Sequence, residues 1–197
     1  MAPAPTLEKH RSGCYQGYVE EISFTAPSLE GNLVGEDANR TLVIYLPQSY
    51  FVMEDRHYPV VYVMHGIEGT PKGWFSDDAS APGLNHVMDT LVENRDVEEM
   101  ILVSVDGTSS LRGCWFLNSP VSGNFFDYLT QDVIHVVEHQ YRVASGKRAI
   151  FGHSMGGFSA LFAAMHCPEI YQACVALSPA GMMMRRHTYR GHGAYFN

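Results

Sequence analysis

Apolar residues along this chain fall into short, nearly continuous runs, separated by longer stretches in which they recur every three or four positions. The runs YPVVYVMHG (58–66), MILVSVDG (100–107), RAIFGHS (148–154) and QACVALSP (172–179) leave too few polar positions to turn one face to water, which suits strands covered on both faces. Two earlier segments, YVEEISFTA (18–26) and RTLVIYLP (40–47), read as an antiparallel pair joined by the turn-rich PSLEGNLVGEDAN. Helices are expected at about 83–95, 123–141 and 155–166. In the second, Phe126, Leu129, Val133, Val136 and Val137 share one face. Pro168 closes the third, because proline cannot continue a helical hydrogen-bond ladder. Strands and helices alternating in this order predict a mostly parallel sheet with helices on both faces, led by an antiparallel strand pair.

Composition narrows the partners. A length of 197 residues fits one domain, here residues 18–197 behind a short extension, 1–17. A net charge of −8 with no basic stripe excludes nucleic acid and anionic membrane surfaces as natural partners. MAPAPTLEKHRSG lacks the apolar core of a signal peptide, and no apolar run reaches the roughly 18 residues a membrane span needs. A cytoplasmic location is expected, or secretion if the N-terminus has been trimmed. Cys14, Cys114, Cys167 and Cys174 show neither CxxC nor zinc-ligand spacing and read as buried or half-buried thiols. His135 and His139 stand four apart on a helix, as two metal ligands would, but no third ligand accompanies them. No metal and no other cofactor is expected.

The chemistry concentrates at GHSMG. GxSxG alone arises by chance in roughly one chain in fifteen of this size, so its setting carries the argument. An apolar strand, AIF, enters it and the helical MGGFSALFAAM leaves it. A serine on so sharp a strand-to-helix turn is thrown outward, and the turn needs Gly152 and Gly156 because neighbouring Cβ atoms would collide. At the helix N-terminus the free N–H groups and the helix dipole favour developing negative charge at Ser154. The N–H of Met155 is one expected oxyanion donor, and the early loop HGIEGT supplies the other, from Ile67 or alternatively Glu68. His65, ending its strand, is expected to fix that loop and not to act as a base.

YPVVYVMHG, GCWFLNSPVSGNFFDYLTQDVIHVVEHQYRV and RAIFGHSMGGFSALFAAMHCPEIYQACVALSP together resemble the Putative esterase family of α/β-hydrolases, which includes S-formylglutathione hydrolase, feruloyl esterases, enterochelin esterases and mycolyltransferases. The resemblance covers residues 18 to 180 or so. It implies the α/β-hydrolase fold and a serine hydrolase acting on a small-molecule carboxylic ester or thioester, with Ser154 as nucleophile and the N–H groups of Met155 and Ile67 as oxyanion donors. It also runs the segment holding Trp115, Phe116, Asn118, Phe125 and Phe126 near the active-site mouth, where some of them would shape the pocket.

The remaining partners of the serine are not legible. Hydrolases of this fold order their triad serine, acid, histidine, and no Asp or Glu follows Glu169, which itself lies on the far side of the sheet. Asp106, at the end of its strand, could orient a histidine but is expected to cap its own loop. His187 and His192 are the candidate bases, in a tail that reads as the start of a loop. The expectation is therefore a domain cut short of its last strands and helices, weakly active or inactive. Two alternatives stand beside it. One is a non-catalytic domain that binds esters or self-associates through an unfinished sheet edge, the other an acyltransferase to a sugar or alcohol acceptor.

Overall fold

A computed structural model describes residues 15–77 and 81–181. Within them the chain runs β1 (Tyr18–Thr25), β2 (Asn39–Leu46), β3 (Tyr58–Met64), α1 (Leu84–Glu93), β4 (Ile101–Val105), a short hairpin β5 (Asn118–Ser119) and β6 (Gly123–Asn124), α2 (Phe125–Asp127), a π turn (Tyr128–Asp132), α3 (Val133–Gln140), β7 (Val143–His153), α4 (Met155–His166) and β8 (Ala173–Leu177). The large sheet has the order β1-β2-β4-β3-β7-β8. β1–β2 and β2–β4 are antiparallel, whereas β4, β3, β7 and β8 run parallel. This is the expected architecture, an antiparallel pair leading a parallel sheet.

The two-residue period of β3 shows why its run is apolar throughout. Tyr58, Val60, Tyr62 and Met64 join Ile150, Val133, Val137, Ala160 and Ala163 in one core, under α3 and α4. Val63 points the other way, into a smaller core with Met88 of α1, Tyr45 and Leu102, against which Val61, Trp74 and Phe151 pack. Helices on both faces thus account for the missing polar positions.

Two elements differ from expectation. The single helix expected over 123–141 is broken into hairpin, α turn, π turn and helix. β7 begins at Val143, five residues early, with Tyr58 opposite Val143 but Val60 opposite Arg148. Gly146 (φ 67), in the left-handed region that favours glycine, sits in the extra segment where the register shifts. Among the described residues no helix is long and apolar enough to cross a membrane.

Candidate active site

All four parallel strands deliver their C-terminal ends to one rim of the sheet. β7 ends in Ser154, the N-cap of α4, at φ 56 and ψ −115. That backbone is strained for a residue with a Cβ, and it is held from several sides. Ser154 N–H donates to Leu177 O at 2.9 Å, while its carbonyl accepts from Ala180 N (2.9 Å) and Phe158 N (3.0 Å). The glycines make the turn possible. A Cβ on Gly156 would overlap the Met64 carbonyl, and one on Gly152 would overlap the Gly156 carbonyl. A Cβ on Gly157 would stand 2.8 Å from Leu177 O, so α4 approaches the ends of β3 and β8 at backbone distance.

The loop after β3 lies against this turn: a Cβ on Gly66 would stand 3.3 Å from that of Ser154. His65 is buried and has both ring nitrogens engaged, Nδ1 with Gly66 O at 2.8 Å and Nε2 with Gly107 N–H at 3.0 Å. A nitrogen that accepts from an amide is unprotonated, so the ring is the neutral Nδ1–H tautomer. Burial lowers its pKa, against the opposing bond to Gly66. It therefore fastens the loop after β3 to the loop after β4. The N–H of Glu68 donates to Arg112 O at 3.2 Å, whereas among the described residues no acceptor is recorded for the N–H of Ile67 or Met155. Nor is any partner recorded there for the Ser154 hydroxyl.

Other expected site residues are dispersed. Asp106 accepts from Thr108 N (2.9 Å) and Thr108 Oγ1 (2.6 Å) and pairs with Arg40 at 3.8 Å, so it caps its own loop. Phe116 corrects the expectation of a residue at the mouth: it is in the core, 1% exposed, against the backbone of Gly107. Asn118 is likewise a helix cap, its Oδ1 accepting from Phe126 N (2.9 Å) and Asp127 N (3.1 Å). Phe125 is buried in the core, while Phe126 packs at its margin, edge-on to Phe162. Trp115 stays half-exposed beside the elbow, edge-on to Phe158 at 5.6 Å. Glu169 is exposed beyond the far end of α4. His187 and His192 lie outside the described residues, as does Cys14. Cys114, Cys167 and Cys174 are free thiols, and burial pushes that of Cys114 up to about 12. His135 and His139 are exposed, and no group of three metal-ligating side chains occurs among the described residues. The sequence reading missed Arg112, Gly113 and Ser159, which surround the elbow without matching any motif.

The family model described as Putative esterase matches residues 36–194. The chain belongs to this family. Among curated relatives of this esterase domain, an uncharacterized protein of Corynebacterium glutamicum is 30% identical over 170 residues, covering 85% of the chain and 38% of the relative. The S-formylglutathione hydrolase of Rattus norvegicus is 25% identical over 157 residues, 69% of the chain and 50% of the relative. Among solved structures a ferulic acid esterase superposes with a TM-score of 0.71 at 26% identity, covering 84% of the chain and 60% of that structure. The chain thus spans between 38% and 60% of the length of these three proteins.

Proposed function

We propose that this esterase-family chain carries the nucleophile and oxyanion hole of a serine hydrolase acting on small carboxylic esters or thioesters. The observation that carries the proposal is Ser154 itself, a strained residue (φ 56) on a strand-to-helix turn, with no partner for its hydroxyl among the described residues and α4's first N–H groups beside it. Ser154 Oγ attacks the carbonyl carbon and gives its proton to a base, and the carbonyl oxygen becomes an oxyanion that accepts from Met155 N–H and Ile67 N–H. Glu68 is the poorer second donor, its N–H already given to Arg112. Collapse expels the alcohol or thiol with a proton, leaving an acyl-enzyme that water hydrolyses. His65 has both ring nitrogens engaged, and His187 and His192 stay the proposed candidates for the base. Trp115, half-exposed next to the elbow, is the residue best placed to shape the pocket.

A fluorophosphonate probe and a p-nitrophenyl acetate assay, each run beside Ser154→Ala, test this reading. Labelling and turnover that vanish in the variant are expected. A folded chain that neither labels nor turns over, or that does so without Ser154, overturns it. Slow turnover alone decides little, since an oxyanion hole and binding can retain about 10³- to 10⁴-fold acceleration without the full triad.

A second reading, self-association, has its own observation. The strand ACVAL of β8 carries no charge or proline to guard its outer edge, and Val175 and Leu177 are 50% and 45% exposed. Light scattering across a concentration series tests it: size should rise with concentration and fall back in Val175→Lys, and a constant monomer ends it.

A further inference from the structure

Between β4 and the hairpin, the segment Arg112–Phe116 touches both backbone elements that carry the proposed oxyanion donors. Toward the β3 loop, Arg112 O accepts the Glu68 N–H at 3.2 Å, and the Arg112 guanidinium holds the Glu68 carboxylate with Nε at 2.7 Å. Toward α4, Trp115 N–H points at Met155 Sδ (3.4 Å), and Ser159 Oγ lies 2.8 Å from Trp115 O and 2.9 Å from Met155 O. Gly113 is wedged between the two: a Cβ there would stand 2.5 Å from Met155 Sδ and 3.5 Å from Ile67 Cγ1. Arg112, Trp115 and Phe116 hold φ values of 72, 55 and 48, which residues with a Cβ keep only where their surroundings impose them.

Ser159 is the buried anchor of this segment, 2% exposed. A mid-helix serine commonly bonds back to the carbonyl four residues earlier, and that bond alone would mean nothing for the site. Here the same hydroxyl, with its one proton, also reaches the carbonyl of a strained loop residue. We infer that Arg112–Phe116 is the spacer that sets the separation of the Ile67 and Met155 amides, and that Ser159 is a positioning residue that pins the spacer to α4. The inference rests on the oxyanion assignment proposed above. An oxyanion hole works only when both N–H groups converge on one oxygen, and three linked loops that could each shift separately would not ensure that. With the spacer, a displacement at α4 carries the β3 loop with it.

Ser159→Ala and Ser159→Thr test the inference by two routes. The first is amide hydrogen exchange. The Glu68 N–H is bonded to Arg112 and makes no hydrogen bond with Ser159, so the hydrogen-bonded route between them runs through the spacer. In Ser159→Ala the Trp115, Cys114 and Glu68 amides should exchange about tenfold faster, as expected for one lost hydrogen bond felt through a local opening. Amides of β1 and α1 should keep the wild-type rate, and Ser159→Thr, which retains the hydroxyl, should restore protection. Acceleration confined to Trp115, with Glu68 unchanged, overturns the spacer. The second route is the Ser154-dependent hydrolysis of p-nitrophenyl acetate. Ser159→Ala should lower kcat roughly ten- to a hundredfold with KM unchanged, since misplacement by about 1 Å costs that much. A raised KM at unchanged kcat would make the segment part of the substrate pocket and overturn the positioning role. If the wild-type chain shows no Ser154-dependent turnover, the reading of Ser154 fails instead, and hydrogen exchange still decides whether the spacer exists.

Discussion

The two ends of the parallel strands are built on opposite principles. At the C-terminal ends lie six of the seven non-glycine residues with positive φ among those described: Glu68, Arg112, Trp115, Phe116, Ser154 and Ser178, with only Arg95 elsewhere. Each such residue costs about 1–3 kcal/mol unless relieved, and the N–H groups of Ile67 and Met155 there have no acceptor among the described residues. At the N-terminal ends, by contrast, polar groups are paired with one another. Glu99 accepts from Tyr15 (2.7 Å), from the Ser49 hydroxyl (2.7 Å) and from Arg56. Ser49 also meets Tyr58 Oη at 2.7 Å, and Arg142 lies over the Tyr50 ring at 3.9 Å. One rim keeps strained backbone and open donors where a carbonyl could use them, and the other supplies paired polar contacts that hold the strands in place. The contrast teaches that the same sheet can be rigid and poised, provided the two demands fall at opposite ends.

The largest expected effect breaks the strained rim. Gly156→Ala would gain about 1 kcal/mol of helix propensity, but its Cβ has no room beside the carbonyls of Met64 and His65. Backbone cannot yield as a flexible side chain does, so the overlap wins. We expect a loss of about 3 kcal/mol in urea unfolding, with Ser154 labelling abolished. Gly146→Ala, in open space away from the rim with φ 67, should cost only about 1 kcal/mol and leave labelling intact. Ser154→Gly sharpens the same point from the other side. It should abolish labelling yet raise stability by about 1 kcal/mol, because glycine adopts φ 56 without strain. A destabilised Ser154→Gly would show that the elbow is not strained.

Which rim is which was partly readable beforehand, for physical reasons. Continuous apolar runs disclosed the parallel strands because burial on both faces removes polar positions altogether. Ser154, Gly152 and Gly156 were legible because a turn this sharp admits few residue types. Contacts between segments distant in sequence left no such trace. Ser159 looks like any small helix residue until the Trp115 carbonyl is seen at 2.8 Å. Phe116 and Asn118 were expected near the mouth from the family resemblance, but Phe116 packs in the core and Asn118 caps the first turn of α2. The paired rim was equally invisible, since Tyr15 and Glu99 share no pattern until the fold joins residues 84 positions apart.

Glu99→Gln tests the paired rim alone. Burial works against the charge of Glu99, but bonds from Ser49 and Tyr15 and the Arg56 guanidinium outweigh it and hold the carboxyl below its ordinary value. Losing the charge from hydrogen bonds of this kind should cost about 2 kcal/mol, with the Ser154 labelling rate unchanged at a temperature where the variant is folded. A slower rate would mean that the two ends are not separable.

The smallest effect is also the most discriminating, because each rim contains a group that titrates in its own window. His65 is held neutral, its folded pKa lowered below 6.5 chiefly by burial. The unfolded chain therefore binds a proton that the folded chain resists, and stability falls as pH drops from about 6.5 toward the folded value. Glu99 also has a lowered pKa, but its ordinary value is 4.5, so its contribution is lost only as pH falls below that point. As pH falls below 6.5 while staying above 4.5, a proton on His65 Nε2 would face the Gly107 N–H from which it now accepts, loosening the strained rim while the paired rim holds. Hydrogen exchange, corrected for its intrinsic pH dependence, should show Gly107 losing protection between pH 7 and 5.5 while Ser49, bonded to Glu99, keeps it. His65→Gln should remove that pH dependence. Equal loss at both amides would mean that the sheet opens as one unit, and the division between its ends would be one of chemistry only, not of stability.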